Sequence, residues 1–216
     1  MQVVRLGREA YTTTLERQRE LAARRARGEL EDTLLLVEHD PVFTLGRSRR
    51  SATNLLAPGD TPVVQVERGG DVTWHGPGQL VAYPIFLLRR DERDVHEMLR
   101  RLEKAIIAVL AELGVEAGRR PKFTGVWTSG KKIASLGIAV TGTWVTLHGL
   151  ALNVSCDLAQ FARINPCGLN AEVMTSVVAL GQDPPQWSAL EDRLASHIAR
   201  CCHRKRTPPA TAASAT

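Results

Sequence analysis

The chain has 216 residues, 44% of them hydrophobic and 24% charged, a balance that suits a folded domain with a sizeable core and excludes wholesale disorder. Its longest apolar run, Ala105 to Ala111, is too short to cross a bilayer, and the opening MQVVRLGREAY lacks a signal-peptide core, so a cytoplasmic protein without membrane attachment is expected. Net charge is +5, from 28 Lys and Arg against 23 Asp and Glu, which attracts anionic partners without naming one.

The segment before Gly28 reads as a helix, with Tyr11, Leu15, Gln18 and Ala22 on one face. It carries Arg17, Arg19, Arg24, Arg25 and Arg27, and a second basic cluster follows at Arg47, Arg49 and Arg50. Strand-length apolar runs lie at Thr33 to Val37, Val42 to Leu45 and Val63 to Val66. A further strand is expected over Gln79 to Phe86, where Pro84 suggests an edge or a bend. The clearest helix opens at Asp94, with Glu97 at capping-box spacing. Val95, Met98, Leu99, Leu102, Ile106, Val109, Leu110 and Leu113 form its face, and Gly114 stops it. The periodicity marks it as core scaffold. Thr124 to Val154 turns to β, broken by hairpin turns at Ser129-Gly130 and around Gly142. Three closing helices are predicted: Asp157 to Arg163, Ala171 to Leu180, and Ser188 to Cys202 with Ser188 and Glu191 as a capping box. One domain over residues 1–202 and a loose tail from His203 to Thr216 complete an α+β organisation.

Three stretches combine glycine with reactive side chains. RGGDVTWHGPGQL, from Arg68 to Leu80, holds four glycines, Pro77 and His75, and reads as a loop whose backbone can approach a ligand. GVWTSGKKIASLGI, from Gly125 to Ile138, nearly spells a phosphate-binding P-loop. Lys132 stands where Ser or Thr would hold magnesium, and strand follows where a helix is needed, so ATPase chemistry is rejected. Strand alternation sends Lys131 and Lys132 to opposite faces, one into a site and one into solvent. In RINPCGL, from Arg163 to Leu169, Cys167 sits in a Pro-Cys-Gly turn, a better place for a reactive thiol than an apolar face. The other cysteines, Cys156, Cys201 and Cys202, have neither metal-type nor secretory spacing. His75, His148 and Cys167 together offer zinc-type donors, but the spacing of a metal site is missing, and neither metal nor cofactor is expected.

Taken in order, RGGDVTWHGPGQLVAYPI, GVWTSGKKIASLGIAV, LHGLALNV and INPCGL resemble the lipoyl(octanoyl) transferase, or lipoate–protein ligase B, family. VEHDPVFTLGR ahead of them fits the family's N-terminal strand pair, and the resemblance runs from about Leu34 to Leu180. It implies an α+β domain with a bent mixed β-sheet flanked by helices, as in lipoate and biotin protein ligases. It implies transfer of octanoyl from acyl carrier protein to a lysine of lipoyl domains, in the E2 subunits of 2-oxoacid dehydrogenases and the glycine-cleavage H protein. The acyl thioester then falls on Cys167 and its partner lysine on Lys132. The acyl-binding segments fall on Arg68, Gly69, Gly70, Asp71, Val72, Thr73, Trp74 and His75, on Ser135, Leu136 and Gly137, and on Gly149, Leu150 and Ala151. Departures from the family pattern are Trp74 where Tyr or Phe is usual, Ala139 where a basic residue is common, Asp40 after His39, and a longer hairpin at Gly142.

The alternatives are an ATP-dependent lipoate or biotin ligase on the same fold, or an octanoyl amidotransferase between lipoyl proteins. A nucleic-acid module has only the net charge in its favour and lacks a recognition motif, so no nucleic-acid partner is expected.

Overall fold

The computed structural model describes residues 1–165 and 173–207. Its main sheet has seven strands in the order β1 (Gln2–Glu9), β2 (Thr33–His39), β6 (Gln79–Ile85), β10 (Thr146–Asn153), β9 (Lys131–Val140), β8 (Phe123–Thr128) and β7 (Gly118–Arg120). β1 runs parallel to β2, and the other neighbours are antiparallel. A smaller sheet joins β4 (Val63–Gln65), β3 (Val42–Leu45) and β5 (Thr73–His75). This is the mixed sheet flanked by helices that the sequence resemblance implies.

Helix α1 (Tyr11–Ala26) buries Tyr11, Leu15, Gln18 and Ala22 against one face of the sheet. On the other face lie α2 (Val95–Glu112) and α3 (Trp187–Cys201), over a core of Leu34, Leu36, Leu102, Ile106, Leu110 and Leu194. With helices on both sides, β2 and β6 are buried along nearly their whole length, which is why they read as continuous apolar runs rather than alternating ones. Asp94 caps α2 by accepting from His96 N and Glu97 N at 2.8 and 3.0 Å, and Gly114 ends the helix at φ +74°. Ser129 and Gly130 both adopt positive φ, +46° and +77°, the requirement of a type I′ hairpin turn. Among the described residues no helix is long and apolar enough to cross a membrane.

The structure corrects several expectations. β1 was not anticipated: its residues alternate weakly in burial, and as a sheet edge it needs no apolar run. Pro84 lies in a central strand, paired to Leu34 of β2. The ladder from β6 to β10 stops at Ala82, Thr146 Oγ1 accepts from Phe86 N at 3.0 Å beyond the proline, and His148 of β10 takes φ +60° beside it. Of the edge or bend expected at Pro84, the edge is therefore excluded, and a local break accommodates it. The β9–β10 hairpin does turn around Gly142, and its left-handed residue is Trp144, at φ +64°.

No helix spans residues 173–180. Thr175 N donates to Lys132 O at 3.0 Å and Val177 N to Asn153 O at 3.1 Å, so residues 174–177 are pinned to strands, and Val178–Leu180 turns as a 3-10 helix. Ala171 lies outside the described residues. Leu158–Arg163 is likewise 3-10, capped by Asp157. The capping box of Ser188 and Glu191 does not form: α3 begins after Gln186, and the buried Glu191 pairs with Arg5 at 3.2 Å. Residues 203–207, expected to be loose, are held to the body. Arg204 reaches Glu92 at 2.7 Å, and Thr207 N donates to Met1 O at 2.9 Å. Residues 208–216 lie outside the described ones.

Candidate active site

The loop from Arg68 to Asp71 is pressed onto the middle of β9. Gly69 N donates to Ile138 O at 3.1 Å, and a Cβ on Gly137 would come within 2.9 Å of Gly69 O. Glycine at 137 is thus a condition of that approach. Arg68 is buried and donates from Nη2 to Thr44 O at 2.9 Å and to Thr44 Oγ1 at 2.8 Å. Asp71 accepts from Asn54 Nδ2 at 2.6 Å and from Val72 N at 2.7 Å, which fixes the loop's far end.

Between this loop and strands β6, β9 and β10 lies a cavity of about 500 Å³, within the usual range for small-molecule sites. Arg68, Gly69, Gly70, Asp71, Val72, Thr73 and His75 line it, with Ser135, Leu136, Gly137, Gly149, Leu150, Ala151 and Lys132. The structure therefore brings the residues singled out in the sequence to one space, with two exceptions. Trp74 is not on the wall. Alternation along β5 sends Thr73 and His75 inward and Trp74 outward, where its ring meets Phe161 edge-on at 5.6 Å. The aromatic wall comes instead from Tyr11 and Tyr83, with Tyr11 stacked on His75 at 5.8 Å. Cys167 lies outside the described residues, as do Pro166 and Gly168.

Lys132 is 7% exposed, whereas Lys131 is exposed. Its seat is made by an absence: Gly125 of β8 has φ +139°, and a Cβ there would lie 2.5 Å from Lys132 Cε. Glu103, fully buried on α2 and paired with Arg100 and Arg119 at 2.8 Å each, accepts from Gly125 N at 3.0 Å and fixes that peptide. The ammonium lies 5.8 Å from the centroid of the Trp127 ring, a cation–π distance.

A buried hydrogen-bond chain links the Lys132 strand to His75. Gln79 Nε2 donates to Asn153 Oδ1 at 3.0 Å, Asn153 Nδ2 to Thr175 O at 2.9 Å, and Thr175 N to Lys132 O. With its amide nitrogen so engaged, Gln79 presents Oε1 to His75 Nδ1 at 3.1 Å, so Nδ1–H is the donor and Nε2 keeps its lone pair. Burial, with His39 and Arg68 nearby, pushes His75 down to about 3; burial likewise lowers His39 and His148 to about 4. Burial pushes the Tyr11 phenol up to about 12. The enclosed end of the cavity is therefore uncharged at its histidines and tyrosines at neutral pH. Cys156 and Cys202 stay thiols, since burial drives both up to about 12.

Sequence reasoning missed Tyr11, Val81 and Tyr83 as cavity residues, and also Val95, His96, Leu99, Lys122, Phe123 and Thr124. The periodicity of α2 marks its first turn as core scaffold, yet Val95 is 37% exposed on the cavity wall. An apolar stripe has the same spacing whether it meets a core or a cavity, so only the fold separates the two.

The family model described as the lipoyl protein ligase A/B catalytic domain matches residues 10–199. An octanoyltransferase of Geobacter metallireducens (strain ATCC 53774 / DSM 7210 / GS-15) is 50% identical over 86% of this chain and 86% of its own length. The octanoyltransferase of Solibacter usitatus (strain Ellin6076) is 48% identical over 97% and 96%. Among solved structures, lipoate-protein ligase A bound with ATP superposes with a TM-score of 0.72 at 16% identity, over 95% of this chain and 88% of that one. The bi-partite lipoate protein ligase of Thermoplasma acidophilum gives 0.70 at 17%, over 96% and 85%. At such identities the structures establish the shared fold.

Proposed function

This chain belongs to the lipoyl protein ligase A/B catalytic-domain family, and from that premise we propose how its cavity carries out the reaction. The protein is an acyltransferase that moves an octanoyl group in protein lipoylation. In our reading the donor is the thioester of octanoyl-acyl carrier protein. The thiolate of Cys167 attacks its carbonyl, a new carbon–sulfur bond forms as the bond to the carrier's sulfur breaks, and the carrier's thiolate leaves, taking a proton from protonated Lys132. Exchange of one thioester for another is nearly balanced in energy, so the step needs a thiolate and correct placement. Lys132 as a cation favours that thiolate. In the second half, a lysine amine of a lipoyl domain attacks the Cys167 thioester, Lys132, left neutral by the first step, accepts the amine's proton, and Cys167 is released as the thiolate. Amide formation from a thioester is downhill, so no ATP is consumed.

The observation that supports this reading best is the seat of Lys132. Of two adjacent lysines, one is buried in the cavity, in a slot that Gly125 leaves open, and the other faces solvent. The acceptors proposed are the lipoyl domains of 2-oxoacid dehydrogenase E2 subunits and the H protein, and the compartment is the cytoplasm. Transfer from octanoyl-acyl carrier protein to a purified lipoyl domain, with and without ATP, tests the reading. Equal rates are expected; strict dependence on ATP and free octanoate would contradict it and favour a ligase.

A further inference from the structure

The cavity has two ends of different character. Towards α1 and β6 its walls are Tyr11, Val81, Tyr83, His148 and Ala151, all buried. Towards β8 and the start of α2 they are Val95, Leu99, Lys122, Phe123 and Thr124, exposed or half-buried. The Lys132 side chain lies against Gly125, where the open end begins. Lys122 lies three residues before Gly125, in the turn that precedes β8.

An eight-carbon acyl chain belongs in the closed end, where it leaves water. The open end must then admit whatever carries the acyl group in. Its walls are apolar at Val95, Leu99 and Phe123, and its rim is cationic. Lys122 makes no ion pair with a carboxylate among the described residues, and Arg120 beside it lies over Phe123 and Trp127 at 5.0 Å from each ring. Lys122 follows Pro121 in the turn that closes β7 on β8, at φ +68°, where a glycine would be unstrained. A cation held there repels a lysine amine and attracts a phosphate.

We propose that this open end is the subsite for the phosphopantetheine arm of the acyl donor, with Lys122 binding its phosphate and Val95, Leu99 and Phe123 packing along its apolar stretch. The proposal rests on the thioester-donor reading above. Octanoyl-phosphopantetheine and octanoyl-pantetheine differ by the phosphate alone, so the rate at which each acylates the full-length protein, followed by intact mass, isolates that contact. The wild-type protein is expected to prefer the phosphorylated thioester roughly five-fold in kcat/KM, the scale of an exposed ion pair. Lys122→Gly removes the charge and relieves the backbone, so its folding is not at issue. It is expected to erase the preference, bringing the rate with the phosphorylated thioester down to that with the unphosphorylated one, and Lys122→Arg is expected to keep the preference. Acylation without phosphate preference in the wild type, or a preference that survives Lys122→Gly, overturns the subsite alone. Failure of both thioesters to acylate the protein overturns the donor reading and the subsite with it.

Discussion

At the residue scale, the two lysines of the Gly-Lys-Lys turn carry the sharpest contrast. Lys132→Ala is expected to slow acylation and to raise the pH at which Cys167 reacts with iodoacetamide, because a nearby cation favours the thiolate. Lys131→Ala, exposed on the other face, is expected to leave both unchanged. An unaltered alkylation profile in Lys132→Ala would remove its assigned role. That contrast was legible in the sequence because strand alternation is strict. The inward and outward sides of Thr73-Trp74-His75 were not legible, since glycines on both sides of the triplet leave its register undefined. The buried histidines have a consequence of their own. His39, His75 and His148 have folded values of about 4, 3 and 4, below the ordinary value of about 6.5. Between those limits the unfolded chain binds protons that the folded chain refuses, so stability is full above the unfolded value and falls as pH drops through the window. The slope is about 1.4 kcal/mol per pH unit for each histidine. Urea midpoints at pH 7.5 and pH 5 are expected to show this loss, and His39→Gln to make it shallower by about a third.

At the element scale, helices with a complete apolar face and strands bounded by turns were readable, as α1, α2, β2 and β3 show. Elements whose form is decided by distant partners were not. Residues 173–180 have a helix-compatible pattern, but Lys132 O and Asn153 O take their amides and draw them out. Pro84 argued for an edge or a bend because a proline cannot donate; it is the second that holds, as Thr146 and the left-handed His148 absorb a break inside the sheet. Two glycines of the β9–β10 region give a matched test. A Cβ on Gly149 would collide with the Ala82 carbonyl and lie 2.7 Å from Pro84 Cδ, whereas one on Gly142 meets nothing within 4 Å. Gly149→Ala is therefore expected to lose about 1–3 kcal/mol of stability by overpacking. Gly142→Ala is expected to be neutral or slightly stabilising, since its backbone is not left-handed. A neutral Gly149→Ala in urea unfolding would mean that the strands are not packed as described.

At the scale of the whole molecule, the excess of positive charge is sorted by the fold. The arginines of α1 and Arg27 just after it are spoken for: Arg17 meets Glu9, Arg19 meets Glu67, Arg24 meets Glu20 and Glu29, Arg25 meets Asp32, and Arg27 meets Glu29. Arg47, Arg49 and Arg50 are exposed and make no ion pair among the described residues. Their loop touches the cavity loop, through Arg47 N to Arg68 O and Ser48 N to Gly70 O, both at 3.0 Å. Opposite charge chiefly speeds encounter and is screened by salt, the Debye length falling to about 3 Å at 1 M. Turnover on octanoyl-acyl carrier protein is thus expected to fall with added salt, and charge reversal at the three arginines to mimic the fall. Turnover on a small octanoyl thioester should fall much less, and equal salt dependence for both donors would leave the arginines as solvated surface. The central claim is a covalent acyl group on one particular cysteine. Intact mass after incubation with octanoyl-acyl carrier protein, followed by hydroxylamine, tests it most directly. A single octanoyl adduct that hydroxylamine removes is expected in the wild type and in Cys156→Ser, Cys201→Ser and Cys202→Ser, and no adduct in Cys167→Ser. Full transfer activity in Cys167→Ala without any adduct would contradict it.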